Sequence, residues 1–115
     1  MARISEDYVS FETAKLLKEK GFDENVISFY PPGDIQRPTL QMAMKWLREV
    51  HKLHIDILPN PLDFKHEDIQ DGWGCEVTHL SNLAYDGNYQ FFQKKYKTYE
   101  QACEEAIKYC LEHLI

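Results

Sequence analysis

The chain has 115 residues, 43% of them apolar and 28% charged, with a net charge of −6. That is the composition of one ordinary globular domain with a modest core, spanning residues 1–115. No apolar run approaches the ~20 residues of a membrane span. The first residues, MARISED, contain no hydrophobic signal region. Three cysteines without metal-type spacing indicate a reducing cytoplasm rather than a disulfide scaffold. The acidic balance disfavours nucleic acid as a partner, because a phosphate-tracking surface needs clustered Lys and Arg. The one dense basic patch is Lys94, Lys95 and Lys97, whereas Asp56, Asp63, Glu67, Asp68, Asp71 and Glu76 are offset only by Lys65 between Leu53 and Leu80.

In chain order, Ser10 predicts an N-cap for a helix over Phe11 to Lys20, stopped by Gly21, with Phe22 packing back on Leu17. Val26 to Tyr30 is a short β-prone run, and Pro31-Pro32-Gly33-Asp34 breaks the chain. Thr39 caps a second helix over Leu40 to Lys52. Its apolar residues form two rows: Leu40, Ala43, Met44 and Leu47, and beside them Met42, Trp46 and Val50. Together they cover roughly 200° of the helix, about twice what a surface helix needs. Such a helix is either central to the domain or carries an intermolecular contact.

Leu53 to Leu58 alternates and predicts a half-buried strand. The acidic stretch Leu62 to Gly72 reads as a loop. Trp73 to Leu80 and Tyr89 to Tyr96 read as an antiparallel hairpin around the turn signal Asp86-Gly87-Asn88. The final segment has Thr98 as N-cap and Gln101 at the capping-box spacing. Its stripe of Tyr99, Ala102, Cys103, Ala106, Ile107, Cys110, Leu111 and Leu114 faces a core, while Gln101, Glu104, Glu105, Lys108 and Glu112 face water. The cysteines on this stripe read as small buried hydrophobes. The expected fold is α+β in the order α-β-α-β-β-β-α, with helices on one face of a small, mainly antiparallel sheet.

Candidate chemistry is thin. His51 and His54 lack a third ligand. Cys75 and His79 share a strand face some 13 Å apart, too far for direct activation. Asp63, His66, Glu67 and Asp68 fit no EF-hand spacing. No phosphate loop, nucleophile elbow, HExxH or CxxC occurs, and no cofactor is implied. Gly72-Trp73-Gly74 signals a tight turn or close backbone approach, with Trp73 either a core anchor or an exposed contact.

Three blocks, YVSFETAKLLKEKGF (Tyr8 to Phe22), PTLQMAMKWLREVHKLHIDI (Pro38 to Ile57) and TYEQACEEAIKYCLEHLI (Thr98 to Ile115), resemble a group of small uncharacterised proteins of gut Bacteroidales and their phages or prophages. The resemblance covers somewhat under half of the chain. It implies a bacterial cytosolic setting and a mobile-element origin, and it brings no activity and no site residues.

The leading expectation is a non-enzymatic interaction module that binds another protein or itself, with Met42, Trp46, Val50 and Trp73 as the partner-binding residues. The alternative is a nucleic-acid-associated regulator of winged-helix or excisionase-like type. Against it stand the long segment between the first two helices and the acidic third helix. A small metal-dependent hydrolase using His51, His54, Cys75, His79 or the acidic loop ranks last.

Overall fold

Each helix begins where a hydroxyl can satisfy an open backbone N–H. In the computed structural model, which describes residues 6–59, 72–80 and 89–115, α1 (Phe11–Glu19) starts at Ser10, whose Oγ accepts from the Thr13 N–H at 3.2 Å. It ends in a Schellman motif. The Phe22 N–H donates to the Leu17 carbonyl at 2.9 Å, and the N–H of Gly21, at φ 93°, donates to Lys18 at 3.1 Å. The left-handed turn at Gly21 folds Phe22 back into the core.

Two short strands follow, β1 (Phe29–Tyr30) and β2 (Ile35–Gln36), paired antiparallel across the Pro31-to-Asp34 turn. Here the structure corrects the expected order. The β-prone run pairs only at its last two residues, and the chain break is the turn of a hairpin whose second strand carries no sequence signal. Arg37 pins this hairpin: its Nε donates to Ser28 Oγ at 2.8 Å and its guanidinium lies 4.1 Å from the Tyr8 ring centroid.

Thr39 opens α2 (Leu40–His51) by accepting from the Met42 N–H at 3.1 Å. The helix stops at Lys52, in the left-handed region at φ 60°. The chain then turns directly into β3 (Leu53–Pro59), which pairs antiparallel with β4 (Trp73–His79), itself antiparallel to β5 (Tyr89–Tyr96). The register sets Ile55 opposite Val77 and Ile57 opposite Cys75. Leu53, Ile55, Cys75 and Val77 are buried, so these alternate positions form the core face. The β4–β5 ladder shifts register between Trp73 and Cys75, and Gly74 is the residue at that irregularity. Gly72 enters it at φ 110°. The glycines flanking Trp73 thus mark the tight backbone their spacing predicts. The acidic stretch 62–71 and the turn at 81–88 lie outside the described residues.

α3 (Tyr99–Tyr109) is capped by Thr98 as expected, Thr98 Oγ1 accepting from Gln101 at 3.0 Å. The Gln101 side chain reaches back to the Lys97 N–H at 3.0 Å, one residue short of a reciprocal capping box. The last turn, Cys110–Leu114, widens to a π-helix. The described residues therefore form a small α+β fold of three helices and two antiparallel sheets, in the order α1-β1-β2-α2-β3-β4-β5-α3.

Glu104 departs from the water-facing role its helical position predicts. Its Oε1 accepts from the Ser10 backbone N–H at 3.0 Å and from Thr13 Oγ1 at 2.7 Å, placing a carboxylate at the start of α1. The helix dipole favours negative charge there. Lys108 adds a second tie between the same helices, 3.1 Å from Glu12. Thr13 is completely buried, so losing its acceptor strands a hydroxyl. Glu104→Ala is expected to lower unfolding free energy by about 1–3 kcal/mol in urea denaturation, the cost of one unpaired buried donor. Glu105→Ala, on an exposed neighbour, should move it by no more than about 0.5 kcal/mol.

Candidate functional site

The two apolar rows of α2 meet different fates. Leu40, Ala43, Met44 and Leu47 are buried in the common core. In the second row Trp46 is also covered, 6% exposed, with Phe22 edge-on at 5.3 Å and His51 edge-on at 4.7 Å between ring centroids. Met42 and Val50, one turn to either side, remain 36% and 55% exposed. These three residues line a groove of about 350 Å³, with Lys45 and Glu49 along the helix and Glu24 and Asn25 from the loop after α1. Trp46 is its floor rather than its rim.

At Met42 and Asn25 this groove adjoins a second cleft of about 290 Å³, lined by Tyr8, Val26, Ile27 and Pro38. Ile27 is 96% exposed. The β-prone run predicts Ile27 inside a strand, but β1 begins only at Phe29. Nothing in the local pattern marks Ile27 as a projecting side chain, nor Glu24 as a groove residue, because both depend on where the loop after α1 returns. Lys45 and Glu49 read from sequence only as a solvated helix edge.

Trp73 stands elsewhere. It is half-buried at the start of β4 and meets Tyr99 edge-on at 5.5 Å. Tyr99 in turn accepts from Gln41 Nε2 at 3.3 Å, which joins the start of α3 to the start of α2.

Asp63, His66, Glu67 and Asp68 lie outside the described residues, and among the described residues those considered for chemistry do not assemble. His54 Nε2 lies 3.0 Å from Asp56 Oδ1 on the opposite face of β3 from Leu53 and Ile55. Asp56 faces Glu76 across the ladder. Among the described residues no three His, Cys, Asp or Glu side chains come together to hold a metal ion. Cys75, Cys103 and Cys110 are buried thiols outside any disulfide. Burial pushes Cys103 up to about 11 and Cys110 up to about 12, so neither supplies a thiolate near neutrality. Among the described residues no helix is long and apolar enough to cross a membrane.

No protein-family model matches the chain, and neither does a curated protein or a solved structure.

His51 belongs to the support of the groove floor. Its Nε2 is sealed from solvent and has no hydrogen-bond partner among the described residues, and burial holds its pKa below the usual 6.5. The unfolded chain therefore takes the proton first as pH falls. Stability should be flat above about pH 7 and decline as pH drops below about 6.5. Urea midpoints at pH 8 and pH 5.5 measure this. His51→Phe keeps a ring against Trp46, and its midpoint is expected to fall less between the two pH values than that of the parent.

Proposed function

We propose that the protein is a non-enzymatic interaction module that binds a protein through the outer row of α2. The observation that carries this reading is the groove floored by Trp46, with Met42 and Val50 exposed on the helix and Ile27 projecting from the adjoining cleft. Single exposed apolar residues are common, but a contiguous set around a concave apolar floor marks a contact surface. Trp46 backs the groove from below, Met42 and Val50 supply its exposed apolar contact, and Glu24, Lys45 and Glu49 supply a polar edge. Trp73, at the β4–α3 junction, is assigned to the fold in this proposal, not to the contact.

The reading takes the helices as gathered on the face of β3–β4–β5 that carries Leu53, Ile55, Cys75 and Val77, with the second row of α2 turned away from it. A bacterial cytoplasmic setting with mobile-element origin belongs to the same proposal, on the resemblance of the three sequence blocks.

A photo-reactive phenylalanine analogue placed at Val50, and separately at Glu112 on the exposed side of the C-terminal turn, tests the reading in the cell that makes the protein. Val50 is expected to give discrete covalent protein adducts and Glu112 none. Equal labelling from both positions, or none from Val50, would contradict it.

A further inference from the structure

We propose that His51 makes the α2 groove a proton-sensitive contact: a proton on its imidazole draws the ring away from Trp46, loosens the groove floor and weakens the hold on a bound protein. The proposal rests on the reading of α2 as a contact surface and adds how that surface is regulated.

Trp46 is held by two rings, Phe22 edge-on at 5.3 Å and His51 edge-on at 4.7 Å between centroids. Neither of them lines the groove, so both act on it through Trp46. His51 is half-buried, and its Nε2 is the sealed, unpartnered atom among the described residues. A neutral imidazole tolerates that position, because Nδ1 can carry the proton and leave a bare lone pair at Nε2. An imidazolium does not. Both nitrogens then carry N–H, and a charged donor sealed without an acceptor is far more costly than a neutral lone pair. The smallest relief is to turn Nε2 out to water, and the ring that turns is the one packed on Trp46. His51 is the last residue of α2, which stops at Lys52. Its ring therefore moves without unwinding the row that anchors the helix in the core.

The negative end of the helix dipole favours a proton here, yet burial outweighs it and holds the pKa below 6.5. Nearby charges do not decide the balance. Arg48, Glu49 and Lys52 flank His51 on its own helix end, and Asp23 and Glu24 follow Phe22 in the loop after α1. His54 and His79 stand on β3 and β4 beyond the turn, and Tyr99 of α3 meets Gln41 at the opposite end of α2. None of these is hydrogen-bonded or ion-paired to His51 among the described residues, and burial alone shifts it.

A bound protein adds cover over Trp46 and keeps the floor in place, so it favours the neutral ring. By linkage the proton weakens the bound protein in turn. The contact is at full strength above about pH 7, where free and bound His51 are both neutral. It declines as pH falls through the His51 titration.

The test is an NMR pH titration of the full chain from pH 8 to pH 5. It follows the His51 ring, the Trp46 indole N–H and the Met42 and Val50 methyls, with the buried Val9 and Val77 methyls showing that the core stays folded. In the parent the Trp46, Met42 and Val50 signals are expected to move with the His51 midpoint, below 6.5. In His51→Phe they should stay fixed, whereas His54→Gln keeps the parent's response. Cross-linking from Val50 in extract of the cell that makes the protein should fall several-fold from pH 7.5 to pH 5.5, and hold level once His51→Phe is added. Groove signals that stay still while His51 titrates, or that move equally in His51→Phe, overturn the proposal; Val50 adducts that persist beside that result leave the contact surface standing. No Val50 adducts at either pH ends both.

Discussion

The fold depends on one element, α3, because the three-stranded sheet and the other two helices all lean on it. Its stripe touches the three-stranded sheet, α2 and α1 at once, and Ala102, Cys103, Ala106, Ile107, Cys110 and Leu111 on it are almost completely buried. Four of those six residues are alanine or cysteine. Small side chains let three separate elements approach one helix closely, where a leucine-rich stripe would hold them apart. The cysteines thus serve as packing volume, and the burial that makes them fit also suppresses their acidity. Glu104 extends the same helix's reach through a carboxylate that serves the start of α1, ninety-four positions earlier in the chain.

With α3 as the central wall, there is one core and it fills early. α2 enters it with its Leu40–Leu47 row and spends Trp46 on sealing the side against Phe22 and His51. No further layer covers Met42 and Val50 among the described residues. Their exposure follows from the geometry of a three-helix, small-sheet domain given a helix that is apolar over about half its circumference. The helix is covered through one row and through Trp46 of the other, which leaves Met42 and Val50 at the surface.

Much of this was legible in the sequence because the signals were local. Ser10, Thr39 and Thr98 cap helices through contacts three residues away, Gly21 stops α1 by its φ, and the period of α3 assigns its buried face residue by residue. β3, β4 and β5 follow from alternation and from the lengths of their runs. What escaped was set by distant partners. Ile35–Gln36 becomes a strand only because Phe29–Tyr30 folds back on it. Glu104 leaves the solvent face because α1 presents an unsatisfied N–H and a buried hydroxyl to it. Of the groove, the sequence offered the row Met42, Trp46 and Val50, but not that Trp46 would be floor and its neighbours rim, nor that Glu24 and Ile27 would complete the surface from another segment. The glycines around Trp73 marked the local backbone but left the ring open as core anchor or exposed contact; it stands half-buried, edge-on to Tyr99.

The central claim is that Met42, Val50 and Ile27 form one protein-contact surface in solution. Methyl-resolved NMR spectra recorded as the protein concentration is raised, and then at fixed concentration as extract of the cell that makes the protein is added, test it most directly. The account predicts that in at least one series the methyl signals of Ile27, Met42 and Val50 shift or broaden together, while those of the buried Val9 and Val77 hold still. Groove methyls that stay fixed in both series, or that change no more than Val9 and Val77, would contradict it.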